Sequence, residues 1–168
     1  VLLIPFKAKQ LLSHALSELT EEQLSASENL LKEYLFNNID IESLKNNLDA
    51  DFSKGGANWN KQRSATFTAR IRGITQQVEA IGKKDPEEAS QSLADYLIHL
   101  FRIKLDIGGQ QQLGRFLKMR IENKLDCFSL EKRLDTSKIL GGLGLYKNTA
   151  EKMVKEVEMI MLLKYSPT

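Results

Sequence analysis

Cysteine is nearly missing from this chain. Cys127 stands alone among 168 residues, so no internal disulfide framework can form, which fits a reducing, cytoplasmic compartment. His14 and His99 are the only histidines. With Cys127 they are too few soft ligands for a structural zinc site, and neither metal nor other cofactor is expected. No apolar run approaches the ~18 residues of a transmembrane helix. Proline occurs three times, and no strand-length stretch alternates convincingly, so helices have few breakers and sheets have no pattern. No period of about 20–50 residues repeats, which excludes the common solenoids.

What is present is ordinary in amount and uneven in placement. Charged residues make up 27% and hydrophobic ones 42% of the chain, as in soluble globular proteins rather than disordered ones. Net charge is +2, which points to no partner. Its distribution says more: residues 1–52 carry four lysines against nine acids, whereas residues 53–84 carry seven bases against Glu79 alone. The simplest use of such asymmetry is for one part of the domain to dock on another. The length suits a single domain over 1–168. The start at Val1-Leu2-Leu3-Ile4 has neither methionine nor the flanks of a signal peptide, so a fragment of a longer multidomain chain is expected.

The helical periodicity is consistent along the chain. A first helix is expected from Phe6 to Ser17, after Pro5. Thr20-Glu21-Glu22-Gln23 has the capping-box pattern and opens a helix towards Asn38. Asp40 can cap a short helix through Leu48, and Gly55-Gly56 marks a loop from Asp49 to Asn58. A long amphipathic helix is expected from Trp59 to Gly82. Asp85-Pro86-Glu87-Glu88 starts another, running to Asp106, and Gly108-Gly109 reads as the break after it. Further helices are expected from Gln110 to Cys127, from Ser129 to Asp135, and from about Asn148 onward. The fold class is therefore all-α: an irregular bundle of about five main helices with short ones between.

Two arginines carry the clearest chemical signal. Trp59, Phe67, Ile71, Ile74, Val78 and Ile81 fall within an arc of about 120°, and Arg63 and Arg70 lie inside that arc. Arg120 and Lys124 lie inside the apolar arc of a later helix. A guanidinium aimed at a core needs an anion or must snorkel to the rim. If the two helices pack side by side, Arg63, Arg70, Arg120 and Lys124 converge beside Trp59 on a seam fit for an acidic protein segment, an anionic lipid headgroup or a phosphate. The plainer reading is that each flanks the core and pairs with an acid such as Asp85, Glu88 or Asp95.

Other constellations fail on spacing. Gly141-Gly142-Leu143-Gly144 precedes a helix, but no Lys-Ser/Thr follows and no strand precedes, so it is no nucleotide-binding loop. Cys127 and His99 fall roughly 15 Å apart in a simple helical hairpin, too far for a nucleophile and its base. Asp49 and Asp51 lack the closing glutamate of a calcium loop. Nucleic acid is not an expected partner, because the basic helix carries no array of aromatic stacking residues.

The reading that results is a non-enzymatic helical interaction or targeting module, binding an acidic protein partner or an anionic headgroup. One alternative is an enzyme domain gripping a phosphorylated substrate with the Gly141–Gly144 loop, with Glu151 as base. A third is a purely structural packing domain with Val1 to Phe6 as its apolar patch. Lysines outnumber arginines by 17 to seven, a bias that suits an AT-rich bacterial gene and a secreted effector acting in a host cytosol.

Overall fold

The computed structural model describes residues 3–15 and 18–164. Among them the chain is all-α, with eight helices, two 3-10 turns and no strand. The helices are α1 (Leu3–Ala15), α2 (Glu21–Leu35), α3 (Ile41–Asp49), α4 (Lys61–Lys83), α5 (Pro86–Phe101), α6 (Ile107–Ile121), α7 (Cys127–Asp135) and α8 (Lys147–Lys164). The 3-10 turns are Phe52–Lys54 and Lys138–Leu140. Five helices have fifteen residues or more, the number of main helices that the periodicity predicts. No described helix is long and apolar enough to cross a membrane.

The described residues gather into two compact units, one up to Ile74 and one from Thr75, the division falling inside α4. In the first, α1 packs on α2 and α2 on α3, burying Leu11, Leu31, Leu44, Leu48, Ile71 and Ile74 completely. In the second, α5 packs on α6 and α8, α6 on α7, and α7 on α8, around Leu93, Leu97, Leu113, Leu117, Leu130 and Val157.

Helix starts follow side-chain caps. Thr20 and Gln23 form the reciprocal capping box. Asp40, Asp85, Asp106 and Asp126 each accept from the N–H three residues on. Those N–H groups hold the Asp40 and Asp126 carboxyls below the usual carboxylate range, and the Gly109 N–H followed by the Lys138 ammonium does so for Asp106. A depressed carboxylate adds stability above the unfolded value of about 3.9 and loses it as pH falls through the folded value. Asp106→Asn, which keeps an acceptor but cannot titrate, should therefore make the acid limb of the stability–pH curve shallower, as read by urea midpoints.

Several boundaries differ from the expected ones, each for a local reason. α1 includes Pro5 in its first turn, where a missing N–H is harmless. Residues 16 and 17, the end of the expected first helix, lie outside the described residues. Trp59 precedes α4 instead of opening it, because the Arg63 N–H donates to Asn60 Oδ1 at 2.8 Å. Gly82 does not stop α4, which continues to Lys83. α5 ends at Phe101, before Asp106, because Arg102 takes the left-handed conformation at φ 52°. Gly108-Gly109 starts a helix in place of breaking one: Asp106 Oδ1 accepts from the Gly109 N–H at 2.7 Å. α6 ends at Ile121, with Asn123 left-handed at φ 57°.

The two units repeat one another. α2 and α6, α3 and α7, and the two 3-10 turns have boundaries 86 residues apart at both ends. The irregular hydrogen bonds recur at the same offset. Ala57 N–H to Asn47 O, Asn58 N–H to Ala50 O and Trp59 N–H to Leu48 O reappear as Leu143 to Arg133, Gly144 to Thr136 and Leu145 to Leu134. Left-handed Asn37, Gly55 and Asn58 match left-handed Asn123, Gly141 and Gly144. In the sequence, Asp40, Ser43, Leu44, Leu48, Asp49, Gly55 and Gly56 recur as Asp126, Ser129, Leu130, Leu134, Asp135, Gly141 and Gly142. The caps, the inward leucines and the double glycine are what this local fold requires.

The copies differ in core polarity. Ser64 and Thr68 of the first stand where Ala150 and Val154 stand in the second, and all four are buried. Ser64 Oγ and Trp59 Nε1 are buried without a hydrogen-bond partner among the described residues. An orphaned buried hydroxyl costs on the order of 1–3 kcal/mol. Ser64→Ala, the residue that the second copy already uses, should raise stability by about 1 kcal/mol, seen as a higher denaturation midpoint.

Candidate functional site

The double-glycine turn organises each unit. After α3 or α7 the chain makes its 3-10 turn, reverses at Gly55 or Gly141, and returns alongside the helix it has just left. Gly56 and Gly142 leave no room for a side chain, since a Cβ would lie 2.0 Å from Ala50 O or 2.1 Å from Thr136 O. Between this turn and the first half of α2 or α6 lies a cleft, again in equivalent places. Glu22, Ala26, Phe52, Gly55 and Gly56 line it in the first unit, and Gly108, Gln112, Lys138, Gly141 and Gly142 in the second. The second cleft, about 360 Å³, carries the charged side chains of Asp106 and Lys138 among its lining. The Lys138 ammonium lies 3.6 Å from the Asp106 carboxylate, and Gln112 Nε2 donates to Gly141 O at 3.3 Å.

That cleft is no phosphate cradle. The N–H groups of Gly141, Gly142, Leu143, Gly144 and Leu145 all donate to carbonyls of residues 133–138. An anion loop needs free amides, so the backbone of the Gly141–Gly144 loop is committed to the fold.

Beside the second cleft the surface changes character. Ile139 is 95% exposed, Tyr146 87%, Leu140 79% and Ile107 74%. Ile139 and Leu140 form the tip of the 3-10 turn, and Ile107 follows Asp106, which pairs with Lys138. Tyr146 lies two residues past Gly144, whose Cβ direction meets Lys138 at 3.7 Å. The corresponding residues of the first unit are Ser53, Asn60, Lys54 and Glu21, all polar. A fold that forms with polar residues at these positions does not need apolar ones. Phe128, also exposed, replaces Glu42 in the same way but stands at the opposite end of α7.

Tyr146 also displaces a helix cap. Asn60 caps α4, whereas a phenol at the matching position cannot reach the N–H groups of the first turn. Tyr146→Asn should stabilise the second unit by about 0.5–1 kcal/mol, measurable by urea denaturation.

Charge changes with the apolar set. Residues 18–66 carry nine acids and five bases, and the matching stretch 104–152 carries six acids and ten bases. Over these matching stretches the same scaffold is thus once net acidic with polar residues at the turn and once net basic with exposed apolar ones.

Trp59 is buried, edge-on to Phe67 with ring centroids 5.1 Å apart. Arg63 is half-buried, and Arg70 Nη2 donates to His14 Nε2 at 3.4 Å; all belong to the first unit. Arg120 and Lys124 belong to the second, at the end of α6 and just beyond it, and each has a carboxylate there. Arg120 grips Glu158 of α8 through two bonds of 2.7 and 2.8 Å, and Lys124 lies 2.6 Å from Glu122. Their charges are matched inside the unit, by acids other than those expected. Position 70 in one copy and 156 in the other are the same site with opposite sign. Glu156 is buried and accepts from Tyr96 Oη at 2.7 Å, so a polar tie joins first and fourth helices in each copy. Among the described residues no group of three metal-ligating side chains occurs.

Comparison with protein-family models, curated proteins and solved structures finds no match.

Proposed function

We propose that this chain is a non-enzymatic docking module and that its second unit carries the docking face, the crest of Ile107, Ile139, Leu140 and Tyr146 with basic residues around it. The observation that carries this reading is the replacement of four polar positions of the first unit by exposed apolar ones in the second. Large exposed apolar side chains grouped on one face mark interaction sites, and the reversed charge selects an acidic counterpart. The cations Arg120 and Lys124 then support the fold and the rim, and the contact area lies at the double-glycine turn.

The test exchanges the crest for the residues of the first unit: Ile107→Glu, Ile139→Ser, Leu140→Lys and Tyr146→Asn together. Peptides selected from a random library on the parent protein should be acidic with apolar anchors. They should bind the exchanged protein at least about tenfold more weakly, since each large apolar side chain withdrawn from a contact removes on the order of 1.5 kcal/mol or more. Undiminished binding to a folded exchanged protein would show that the crest is not the docking face.

A further inference from the structure

Resting on that reading, we infer that the crest seats on the surface of an anionic lipid bilayer. The shape of the crest argues for this partner. Ile139 and Leu140 are consecutive residues of a three-residue turn, bounded by Ser137 and left-handed Gly141, and they are 95% and 79% exposed. A folded protein partner must offer a matching pocket for each projecting side chain. The boundary between lipid headgroups and acyl chains accepts short aliphatic knobs without a preformed pocket.

The residues around the knobs fit the same surface. Lys138 precedes Ile139, and Lys147 follows Tyr146 in the chain; the Lys138 ammonium lies 3.6 Å from the Asp106 carboxylate, an exposed pair that headgroups can compete for. Both lysines are exposed. Tyrosine favours the interfacial layer, where its ring is apolar and its hydroxyl stays wet. Lysines beside a membrane-facing crest are drawn to anionic headgroups. The excess of ten bases over six acids across residues 104–152 adds a field of the same sign. The matching stretch of the first unit has the opposite excess and polar residues at the turn tip, so an anionic membrane repels it. Of the two matching stretches, the basic one contacts lipid and the acidic one does not.

The experiment is co-sedimentation of the full chain with vesicles of phosphatidylcholine alone and of phosphatidylcholine mixed with phosphatidylserine. Binding is expected to the mixed vesicles, to fall as salt is raised, and to be about tenfold weaker to phosphatidylcholine alone. Ile139→Ser with Leu140→Ser should lower binding to the mixed vesicles by about tenfold at unchanged helicity. Lys138→Ala with Lys147→Ala should lower it while leaving the crest intact. Absence of binding to either vesicle overturns the lipid assignment. The docking reading then still stands if selected acidic peptides discriminate the four-residue exchange, and falls with it if they do not. Equal binding of the serine variant and the parent also overturns the inference, as does complete competition by soluble glycerophosphoserine, which would place a headgroup pocket where a surface contact is inferred.

Discussion

Gly142→Ala should destabilise the second unit by about 3–5 kcal/mol, among the largest effects of any single methyl group in the chain. The added carbon would lie 2.1 Å from the carbonyl oxygen of Thr136 and 2.6 Å from its carbonyl carbon. Both are backbone atoms, and the turn holds them through the Gly144 N–H, which donates to that same oxygen at 2.7 Å. Neither side can yield without opening the turn. Gly56→Ala should act equally on the first unit, where Ala50 O is 2.0 Å away. The neighbouring Gly141 provides a control: it has open space around it but φ of 85°, so alanine there should cost only about 1–2 kcal/mol through backbone strain. Denaturant midpoints of the three variants give the comparison, and similar effects at 141 and 142 would show that close approach is not what selects the second glycine.

Arg120→Ala should cost about 2–3 kcal/mol of stability without weakening docking. The side chain is 14% exposed, and its guanidinium closes a two-bond clamp on Glu158 while also donating to Asn123 Oδ1 at 3.2 Å. Paired, charge-assisted bonds in a partly dry site are stronger than surface ion pairs. Removal also strands the Glu158 carboxylate between α6 and α8. Denaturation and vesicle binding read the two properties separately. A fall in binding with little loss of stability would return Arg120 to the role expected from the sequence, a cation held for an external anion.

Those two substitutions separate what the scaffold needs from what the second copy adds. The turn glycines, the capping aspartates and the inward leucines are common to both copies, because each holds the short helix and its tight return in place. The crest is peculiar to one copy. Comparison of the two therefore does what a mutational scan would do: it shows the same backbone tolerating Ser53, Lys54 and Asn60 at positions where the other copy presents Ile139, Leu140 and Tyr146 to solvent.

The all-α class was readable from periodicity, and the starts at Thr20, Asp40 and Asp85-Pro86 from cap chemistry. The ends were not, because α5 turns on left-handed Arg102, a residue type that does not announce that conformation, and the α6–α7 junction on left-handed Asn123, a weaker signal than glycine. Gly108-Gly109 misled for the converse reason, since glycine inside a first helical turn resembles a break until its Asp106 cap is noticed. The duplication escaped because its period, 86 residues, exceeds that of common repeats and its identities concentrate between Asp40 and Gly56. Once the copies are aligned, the crest is visible in sequence as four polar-to-apolar exchanges. Read alone, the segment around Gly141 draws attention to its glycines and away from Ile139 and Leu140 in front of them. Arg120 is largely covered, as its place in the apolar arc implies, and Glu158, thirty-eight residues on, is an acid that local spacing could not identify.

The most direct measurement is the affinity of the four-residue exchange, Ile107→Glu, Ile139→Ser, Leu140→Lys and Tyr146→Asn, for acidic peptides selected on the parent protein, with helicity and denaturation midpoint recorded on the same samples. Specialisation of the second copy predicts a folded protein, no less stable than the parent, whose affinity has dropped at least about tenfold. A folded protein that binds as before, or one that unfolds because the exposed apolar side chains were holding it together, would contradict it.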